Sequence, residues 1–295
     1  MSNDLNPIHP KHIEGLCKQT LPDQMQSLMP TTGIELLKAR FGGHAYDKHS
    51  HDTYAIGLTD SGVQSFDYRG QSENSTTGRV IVLHPSEVHN GRAGSDAGFS
   101  YRMLYIDPGL ISQALQSIAG RACPLPFVKK SVSDNLQLAS AINLADEYAA
   151  NNRESLVKDE VILQLTEGLI AADPACIKIR KGFFIDYLAV NRAREFIAAN
   201  KHRVIDSQEL EIVTGLNRFE LTRHFKKVLG CSPYRYSLNR RLDRARQLLH
   251  TKATFTDVAY GAGFSDQAHL CRLFKSRFGL TPGQYYRLNS PASSC

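Results

Sequence analysis

The sequence lacks the features that would mark a membrane protein, a secreted protein or a common type of enzyme. No hydrophobic run approaches the roughly 20 residues of a membrane-spanning helix. The N-terminus, MSNDLNPIHP, has no basic start followed by an apolar stretch, so we expect a cytoplasmic protein with no membrane partner. The six cysteines are scattered without a C-x-x-C pair, which favours reduced structural thiols over a disulfide framework or a zinc site. No Ser/His/Asp order, phosphate-binding glycine loop or paired carboxylates indicate other chemistry.

Charge is distributed unevenly along the chain. The net charge of +6 over 295 residues combines a balance of −4 over residues 1–180 with a balance of +10 over residues 181–295. A near-neutral first half followed by a strongly basic second half indicates two modules, the second of which meets a polyanion. At this length each module can bury its own core.

The first half is strand-like and then becomes helical. Residues 31–107 contain short runs rich in Val, Ile, Leu, Tyr and Phe, separated by turn material such as DSG and NSTTG, a spacing that predicts a β-sandwich or barrel. The preceding residues 1–30 have no clear periodicity and are expected to form an N-terminal arm. Helical periodicity then predicts a hairpin over 133–152, capped by Ser133, and over 153–173. Asp-Pro at 173–174 ends this hairpin, and residues 174–184 are interpreted as a linker.

The second half repeats itself. Residues 210–236 and 258–286 align, with Gly215 matching Gly263 at an offset of 48. Past one inserted residue, six further pairs match at an offset of 49: Leu221/Leu270, Arg223/Arg272, Phe225/Phe274, Lys226/Lys275, Gly230/Gly279 and Pro233/Pro282. Each unit is predicted to be a helix, a Gly-containing turn and a second helix, which is a helix-turn-helix. Asn217 and Ser265 are the expected N-caps of the second helices, which end at Gly230 and Gly279.

The second helix of each unit has a core face and an outward face. At 100° per residue, Leu221 and Phe225 face the core of the first unit, as Leu270 and Phe274 do in the second. Arginine on the outward face can bond guanine, and lysine can neutralise phosphate, so double-stranded DNA is the predicted partner. The outward residues are Phe219, Thr222, Arg223 and Lys226 in the first unit and Ala268, Cys271, Arg272 and Lys275 in the second.

With these residues, 184–289 resembles the AraC/XylS DNA-binding domain, two helix-turn-helix motifs joined by a linker helix. The segment GFSDQAHLCRLFKSRFGLTPGQYYR matches the signature of that family over its whole length. Residues 31–107 resemble its cupin-type sensor, and the hairpin resembles its dimerisation helices. The resemblance implies base contacts at Phe219, Thr222 and Arg223 in the first unit and at Gln267, Ala268, His269, Cys271 and Arg272 in the second.

The fold class implied by the resemblance is α+β. It consists of a cupin-like β-barrel with a helical dimerisation hairpin, then an all-α domain with two helix-turn-helix motifs. The expected division is arm 1–30, sensing and dimerisation domain 31–173, linker 174–184 and DNA-binding domain 185–289.

A histidine cluster in the first half raises the question of a metal. Gly43-x5-His49-x-His51 matches the start of the first cupin motif, where metal-binding cupins next supply a glutamate; here Ala55 and Ile56 stand instead. We therefore predict a ligand pocket with neither metal nor other cofactor, although three imidazoles alone can bind zinc or iron. The predicted pocket residues are His49, His51, Tyr54, His84 and His89.

The resemblance implies a transcriptional regulator, either an activator or a repressor, controlled by a small-molecule effector. It acts on promoter DNA as a homodimer, together with RNA polymerase, and is not an enzyme. Two alternatives remain at this point. One is control by a partner protein or by oxidation of Cys271; the other is a cupin metalloenzyme tethered to DNA.

Overall fold

The computed structural model describes residues 23–31, 33–151, 154–177, 185–251, 253–278 and 280–289. In the first half these residues form nine strands. The strands are β1 (Gln24–Thr31), β2 (Ile34–Phe41), β3 (His44–His49), β4 (Tyr54–Tyr68), β5 (Gln71–Thr76), β6 (Val80–Leu83), β7 (His89–Ala93), β8 (Phe99–Ile106) and β9 (Val132–Ser133).

The strands form two antiparallel layers that share one long, bent strand. The larger layer has the order β1-β2-β8-β4-β6-β9, while β3 pairs with β7, and both β5 and β7 pair with β4. The first half of β4 lies beside β6 and β8, and its second half lies beside β5. Gly62 lies at the bend with φ +73°, and a Cβ there would lie 2.1 Å from the carbonyl oxygen of Gly98. Only glycine fits this close approach, which lets β4 close the barrel.

Strands β2, β4, β6 and β8 of the larger layer each contribute to two cores. On β8, Tyr101 and Met103 face the barrel interior with Phe66, whereas Leu104 and Ile106 face away from it. This period-two alternation is the usual consequence of the strand pleat. The outer face is covered by helices, so the barrel and the helical layer share one sheet.

Three helices follow: α1 (Pro108–Ala119), α2 (Leu136–Asn151) and α3 (Ser155–Ala172). The predicted hairpin is present, but the expectation that Ser133 caps it is wrong, because Ser133 belongs to β9 and the side chain of Asn135 accepts from the backbone N–H of Leu138 at 3.0 Å. Among the described residues, α3 is buried on nearly all sides. No helix in the described ranges is both long and apolar enough to cross a membrane.

The second half is helical throughout the described ranges. Its helices are α4 (Tyr187–Ala199), α5 (Ser207–Thr214), α6 (Arg218–Leu229), α7 (Pro233–Leu248), α8 (Phe255–Gly261), α9 (Gln267–Phe278) and α10 (Pro282–Asn289). The repeat is visible in the backbone, since Gly215 and Gly263 occupy the left-handed region at φ +75° and +76°. The structure therefore has two helix-turn-helix units, α5–α6 and α8–α9, joined by α7.

The helix ends follow the sequence with one exception. Asn217 caps α6 by accepting from the backbone N–H of Glu220 at 3.0 Å, and Gly230 ends that helix at φ +71°. The predicted cap Ser265 is wrong, because Asp266 accepts from the backbone N–H of His269 at 2.7 Å instead. Either oxygen-bearing side chain can cap a helix, and the tertiary position of the turn selects the aspartate. Gly279 lies outside the described residues.

The predicted N-terminal arm is only partly described. Residues 1–22 lie outside the described residues, and residues 24–31 form β1, which pairs with β2. The arm over 1–30 stays a prediction, and its described residues from 24 onward belong to β1. Of the predicted linker, residues 178–184 lie outside the described residues, and 174–176 form a short 3-10 turn.

Candidate nucleic-acid interface and sensor pocket

The recognition helix of the second unit, α9, presents an open face. Leu270 and Phe274 are fully buried in the unit, as the helical periodicity predicts. Ala268 and Arg272 on the opposite side are exposed, as is Lys275 one turn further on. This side has the width and the cationic character that a helix needs to enter a major groove.

Two of the side chains implied as base contacts on α9 are less accessible. His269 is 2% exposed, lies 3.2 Å from the hydroxyl of Ser265 and packs edge-on against Phe264. Burial, with Arg241 nearby, lowers its pKa to about 4, so it is neutral at pH 7. Cys271 is half-buried, and burial raises the pKa of its thiol. That shift disfavours the thiolate on which a redox-sensing role depends.

The recognition helix of the first unit, α6, is covered by the first half of the chain. Phe219 and Thr222 are 3% and 4% exposed, and α6 packs against both α1 and α3. The Arg223 guanidinium donates a hydrogen bond of 2.7 Å to the carbonyl oxygen of Ser117 at the end of α1. The predicted outward face of α6 is therefore an interface between the two halves of the chain in this structure.

Acidic side chains of α3 pair with cations of α6. Lys226 lies 3.7 Å from Glu160, and Arg218 lies 3.4 Å from Asp159. Glu160 also accepts a 2.5 Å hydrogen bond from the hydroxyl of Ser232. Burial raises the pKa of Asp159 to about 7, against the opposing effect of Arg218. The acidic side chains of α3 therefore pair with cationic side chains of α6 that would otherwise face a polyanion.

The arginines of α7 have structural partners. Arg241 is fully buried, forms an ion pair with Glu154 and donates to the carbonyl oxygen of Gly263 at 2.6 Å. Arg244 donates to the carbonyl oxygen of Gly261 at 2.6 Å. These two side chains hold the second unit against α7. Through its pair with Glu154, Arg241 also connects α7 and the second unit to the first half of the chain.

In the first half, three of the predicted pocket histidines meet at one end of the barrel. The ring of His89 lies 4.4 Å from that of His49 and 5.0 Å from that of His51. Each Nδ1 lies 2.8–3.0 Å from a backbone carbonyl two residues away, which places the proton on Nδ1 and leaves Nε2 as an acceptor. The Nε2 of His51 is buried with no hydrogen-bond partner among the described residues.

Burial sets the protonation of two of these histidines. It lowers the pKa of His51, and it lowers the pKa of His89 to about 4, so both rings are neutral at pH 7. Within the described ranges, no three His, Cys, Asp or Glu side chains are arranged to hold a metal ion.

The other two predicted pocket residues lie elsewhere. Tyr54 is on the outer face of the sheet, and its hydroxyl donates to the carbonyl oxygen of Pro126 at 2.7 Å. The Nε2 of His84 accepts from the backbone N–H of Val128, and its Nδ1 lies 2.9 Å from the Tyr68 hydroxyl. Burial and a neighbouring arginine lower the pKa of His84 to about 4. His84 thus joins the sheet to the segment after α1, apart from the other histidines.

Sequence reasoning missed part of the lining of the histidine pocket. Tyr46 and Tyr101 share a 2.6 Å hydrogen bond between their hydroxyls beside His49 and His89, and Gln64 and Asn90 also line this space. Tyr105 is a weaker candidate from the sequence, and the alternation of Tyr101, Met103 and Tyr105 along β8 is the signal that could have found Tyr101 as well. The enclosed space is about 20 Å³, enough for about one water molecule.

A much larger groove of about 970 Å³ lies on the outside of the sheet, between β1 and α2. Its charged side chains are largely paired with one another: Arg102 bonds both Asp60 and Asp146, and Lys38 bonds Asp146. Tyr101 lines both this groove and the histidine pocket.

Comparison with known proteins finds a domain match in each half of the chain. Residues 31–166 match the AraC-like ligand binding domain, and residues 212–287 match a helix-turn-helix domain. The chain is therefore an AraC-type DNA-binding transcriptional regulator with an N-terminal ligand-binding domain.

The chain is similar to several individual proteins. The chain is 26% identical over 260 residues to the uncharacterized HTH-type transcriptional regulator YbfI of Bacillus subtilis, covering 85% of this chain and 91% of that protein. It is 25% identical over 260 residues to the HTH-type transcriptional activator RhaS of an Enterobacter species, covering 83% and 89%. A solved probable AraC family regulator from Rhodopseudomonas palustris is 31% identical and covers 35% of this chain and 99% of its own, with a TM-score of 0.34.

Proposed function

We propose that this regulator recognises promoter DNA through α9 and α6, with Arg272 and Arg223 as the principal base-reading side chains. The observation that carries this proposal is the exposed cationic face of α9 on a helix whose opposite face is fully buried. Arginine can bond guanine O6 and N7 together, whereas Ala268 and Cys271 are too short for such contacts. Lys226 and Lys275 are assigned to phosphate contacts.

Binding-site selection from random-sequence duplexes tests this assignment. We expect Arg272→Ala to cost about 1–3 kcal/mol of specific binding and to relax the preference at one base position. Lys275→Ala should weaken selected and unselected duplexes alike and flatten the salt dependence, because phosphates carry no sequence information. A sequence preference unchanged by Arg272→Ala would show that α9 positions the protein without reading bases.

We further propose that a small-molecule effector binds at the barrel end formed by His49, His51 and His89. Neutral imidazoles with Nε2 as acceptor, together with the tyrosine hydroxyls beside them, suit a ligand that donates hydrogen bonds. Because the enclosed space is about 20 Å³ and ligand pockets usually measure about 300–1,000 Å³, binding requires the surrounding side chains to move outward.

Mapping the bound genomic sites and assaying substrates of the neighbouring genes as effectors tests this pocket. His51→Gln should abolish the reporter response to the active compound while leaving DNA affinity unchanged. His44→Gln, an exposed change on β3, is the matched control. A normal response from His51→Gln would place the effector elsewhere.

The remaining assignments are that the protein is a homodimer, works with RNA polymerase as an activator and acts in the cytoplasm. A two-fold dimer would present four helix-turn-helix units to paired half-sites. Sedimentation that shows a monomer with and without DNA at all working concentrations would contradict the dimer.

A further inference from the structure

The two recognition helices of this chain occupy opposite situations, although their sequences are equivalent. At the offset of 49, Arg223 corresponds to Arg272. Arg272 lies on an exposed face, whereas Arg223 bonds a carbonyl oxygen of α1. The two repeat units can therefore be compared directly. The different surroundings of Arg223 and Arg272 come from the first half of the chain and not from the units themselves.

The covering surface matches α6 in charge as well as in shape. Helix α1 provides the Ser117 carbonyl for Arg223, and α3 provides Asp159 for Arg218 and Glu160 for Lys226. Carboxylates and carbonyl oxygens are the protein counterparts of phosphate oxygens and guanine acceptors. The α1–α3 surface therefore offers α6 the kind of acceptors that DNA offers.

The same contact and DNA binding exclude each other. A major groove about 12 Å wide accepts one helix, and its base edges fill the face on which that helix reads. Phe219, Thr222 and Arg223 cannot meet base edges while they are packed against α1 and α3. For α6 to enter a groove, it must leave this surface.

The contact is incomplete, as expected of a surface that separates. A cavity of about 450 Å³ lies between α1 and the start of α6, lined by Gln113, Ser117, Glu211 and Arg218 among others. The Ser117 hydroxyl there is buried with no hydrogen-bond partner among the described residues. Close packing, which makes protein cores costly to open, is missing along this edge.

We propose that the α1–α3 surface is an intramolecular docking site for α6. In the docked chain only α9 reads DNA, and release of α6 adds the second contact region. This inference rests on the proposed DNA reading by both helices. It identifies the step at which the first half of the chain controls binding.

Hydrogen exchange on the full-length protein, with and without a duplex that the protein itself selects from a random pool, tests the docking directly. Hydroxyl-radical footprinting of the same complex counts the contact regions. With two regions about one helical turn apart, amides of residues 113–119 should exchange at least threefold faster in the complex, because α6 no longer covers α1. Two regions with unchanged exchange over 113–119 would overturn the proposal.

A single protected region, with exchange over 113–119 unchanged, supports a complex in which α6 stays docked while the protein is bound to DNA. Variants that weaken the contact between α3 and α6 then test whether α6 can be released. Glu160→Gln removes the partner of Lys226 and should tighten binding about three- to tenfold, which corresponds to about 0.7–1.4 kcal/mol, and extend the footprint to a second region. Glu73→Gln on β5 makes the same charge change away from α6. Equal effects of the two variants, or no effect of Glu160→Gln in a folded protein, would overturn the proposal.

An exposed substitution serves if Glu160→Gln unfolds the chain. Gln113→Lys places a positive charge on the exposed side of α1 that lines the cavity with Arg218. Like Glu160→Gln, it should favour release of α6 from the α1–α3 surface. Ser140→Lys, on the exposed side of α2, is the control for the added positive charge. If the chain binds no duplex at all, the proposed DNA reading itself fails. If α6 reads DNA while α1 stays covered, only the docking proposal fails.

Discussion

Histidine protonation is the clearest chemical property of individual residues in this protein. His84, His89 and His269 are buried, and the pKa of each is lowered to about 4, with burial as the largest cause. The unfolded chain, with ordinary histidines of pKa about 6.5, binds more protons between pH 4 and 6.5. Their contribution to stability is therefore complete above about pH 6.5 and is lost as the pH falls towards 4.

We expect the free energy of unfolding to fall by about 1–2 kcal/mol per buried histidine between pH 7 and pH 5. Asp159 acts in the opposite direction: its raised pKa of about 7 means that its contribution declines as the pH rises from 4 to 7. Three histidines outweigh one carboxyl, so the net effect is acid destabilisation. Urea denaturation at the two pH values measures it.

The variant His269→Gln should lose less stability on acidification than the parent protein. His202→Gln, at an exposed position, is the matched control and should leave the pH dependence unchanged. Equal pH dependence in His269→Gln and the parent would mean that His269 is protonated to the same extent in the folded and unfolded chains.

At the scale of elements, helix α3 of the hairpin lies in the interior of the chain. Leu165 and Leu169 of α3 are fully buried, and α3 packs against α1, α2 and the helices α5, α6 and α7 of the second half. A face hidden in this way cannot also meet a second copy. A homodimer that uses this hairpin must form through α2, whose exposed positions include Leu136 at 83% exposure.

We expect Leu165→Ala to lower the free energy of unfolding by about 2–5 kcal/mol through loss of burial and the cavity it leaves. Leu136→Ala should change it by less than about 0.5 kcal/mol. Denaturant titrations with sedimentation at the same concentrations separate stability from assembly. A dimer weakened by Leu165→Ala without loss of stability would contradict the interior position of α3.

At the scale of the whole molecule, one buried ion pair joins three parts of the chain. Arg241 of α7 pairs with Glu154 before α3 and donates to the turn of the second helix-turn-helix unit at Gly263. Its guanidinium also lies 4.5 Å above the ring of Phe264. Such a pair costs desolvation when it forms, but removing one partner leaves a buried charge without compensation.

We expect Glu154→Gln to destabilise the chain by about 3–5 kcal/mol and to separate the unfolding of the two halves. The paired replacement Glu154→Leu with Arg241→Met should cost less than Glu154→Gln alone, because no buried charge remains. Glu147→Gln breaks the half-exposed pair with Arg235 and should cost less than about 1 kcal/mol. Calorimetry that shows one unchanged transition for Glu154→Gln would contradict the role of this pair.

The local features of this protein follow from its amino-acid sequence. The repeat of Gly215 and Gly263, the cap at Asn217 and the buried faces of Leu221 and Leu270 follow from helix period and capping chemistry, which depend on near neighbours in the chain. The spacing of short apolar runs and turn residues likewise predicted the β-sandwich or barrel. The missed strand β1 shows the limit, because its pairing partner and not its composition makes it a strand.

Which of these features face one another depends on the packing of distant parts of the chain. The sequence treats Arg223 and Arg272 as equals, but α1 and α3 cover the first and leave the second on an exposed face. It groups His84 with His89, but His84 bonds the backbone of Val128, whereas His89 packs against His49. The physical reason is that burial and pairing arise between residues far apart along the chain. The periodicity of one element therefore does not show which other elements pack against it.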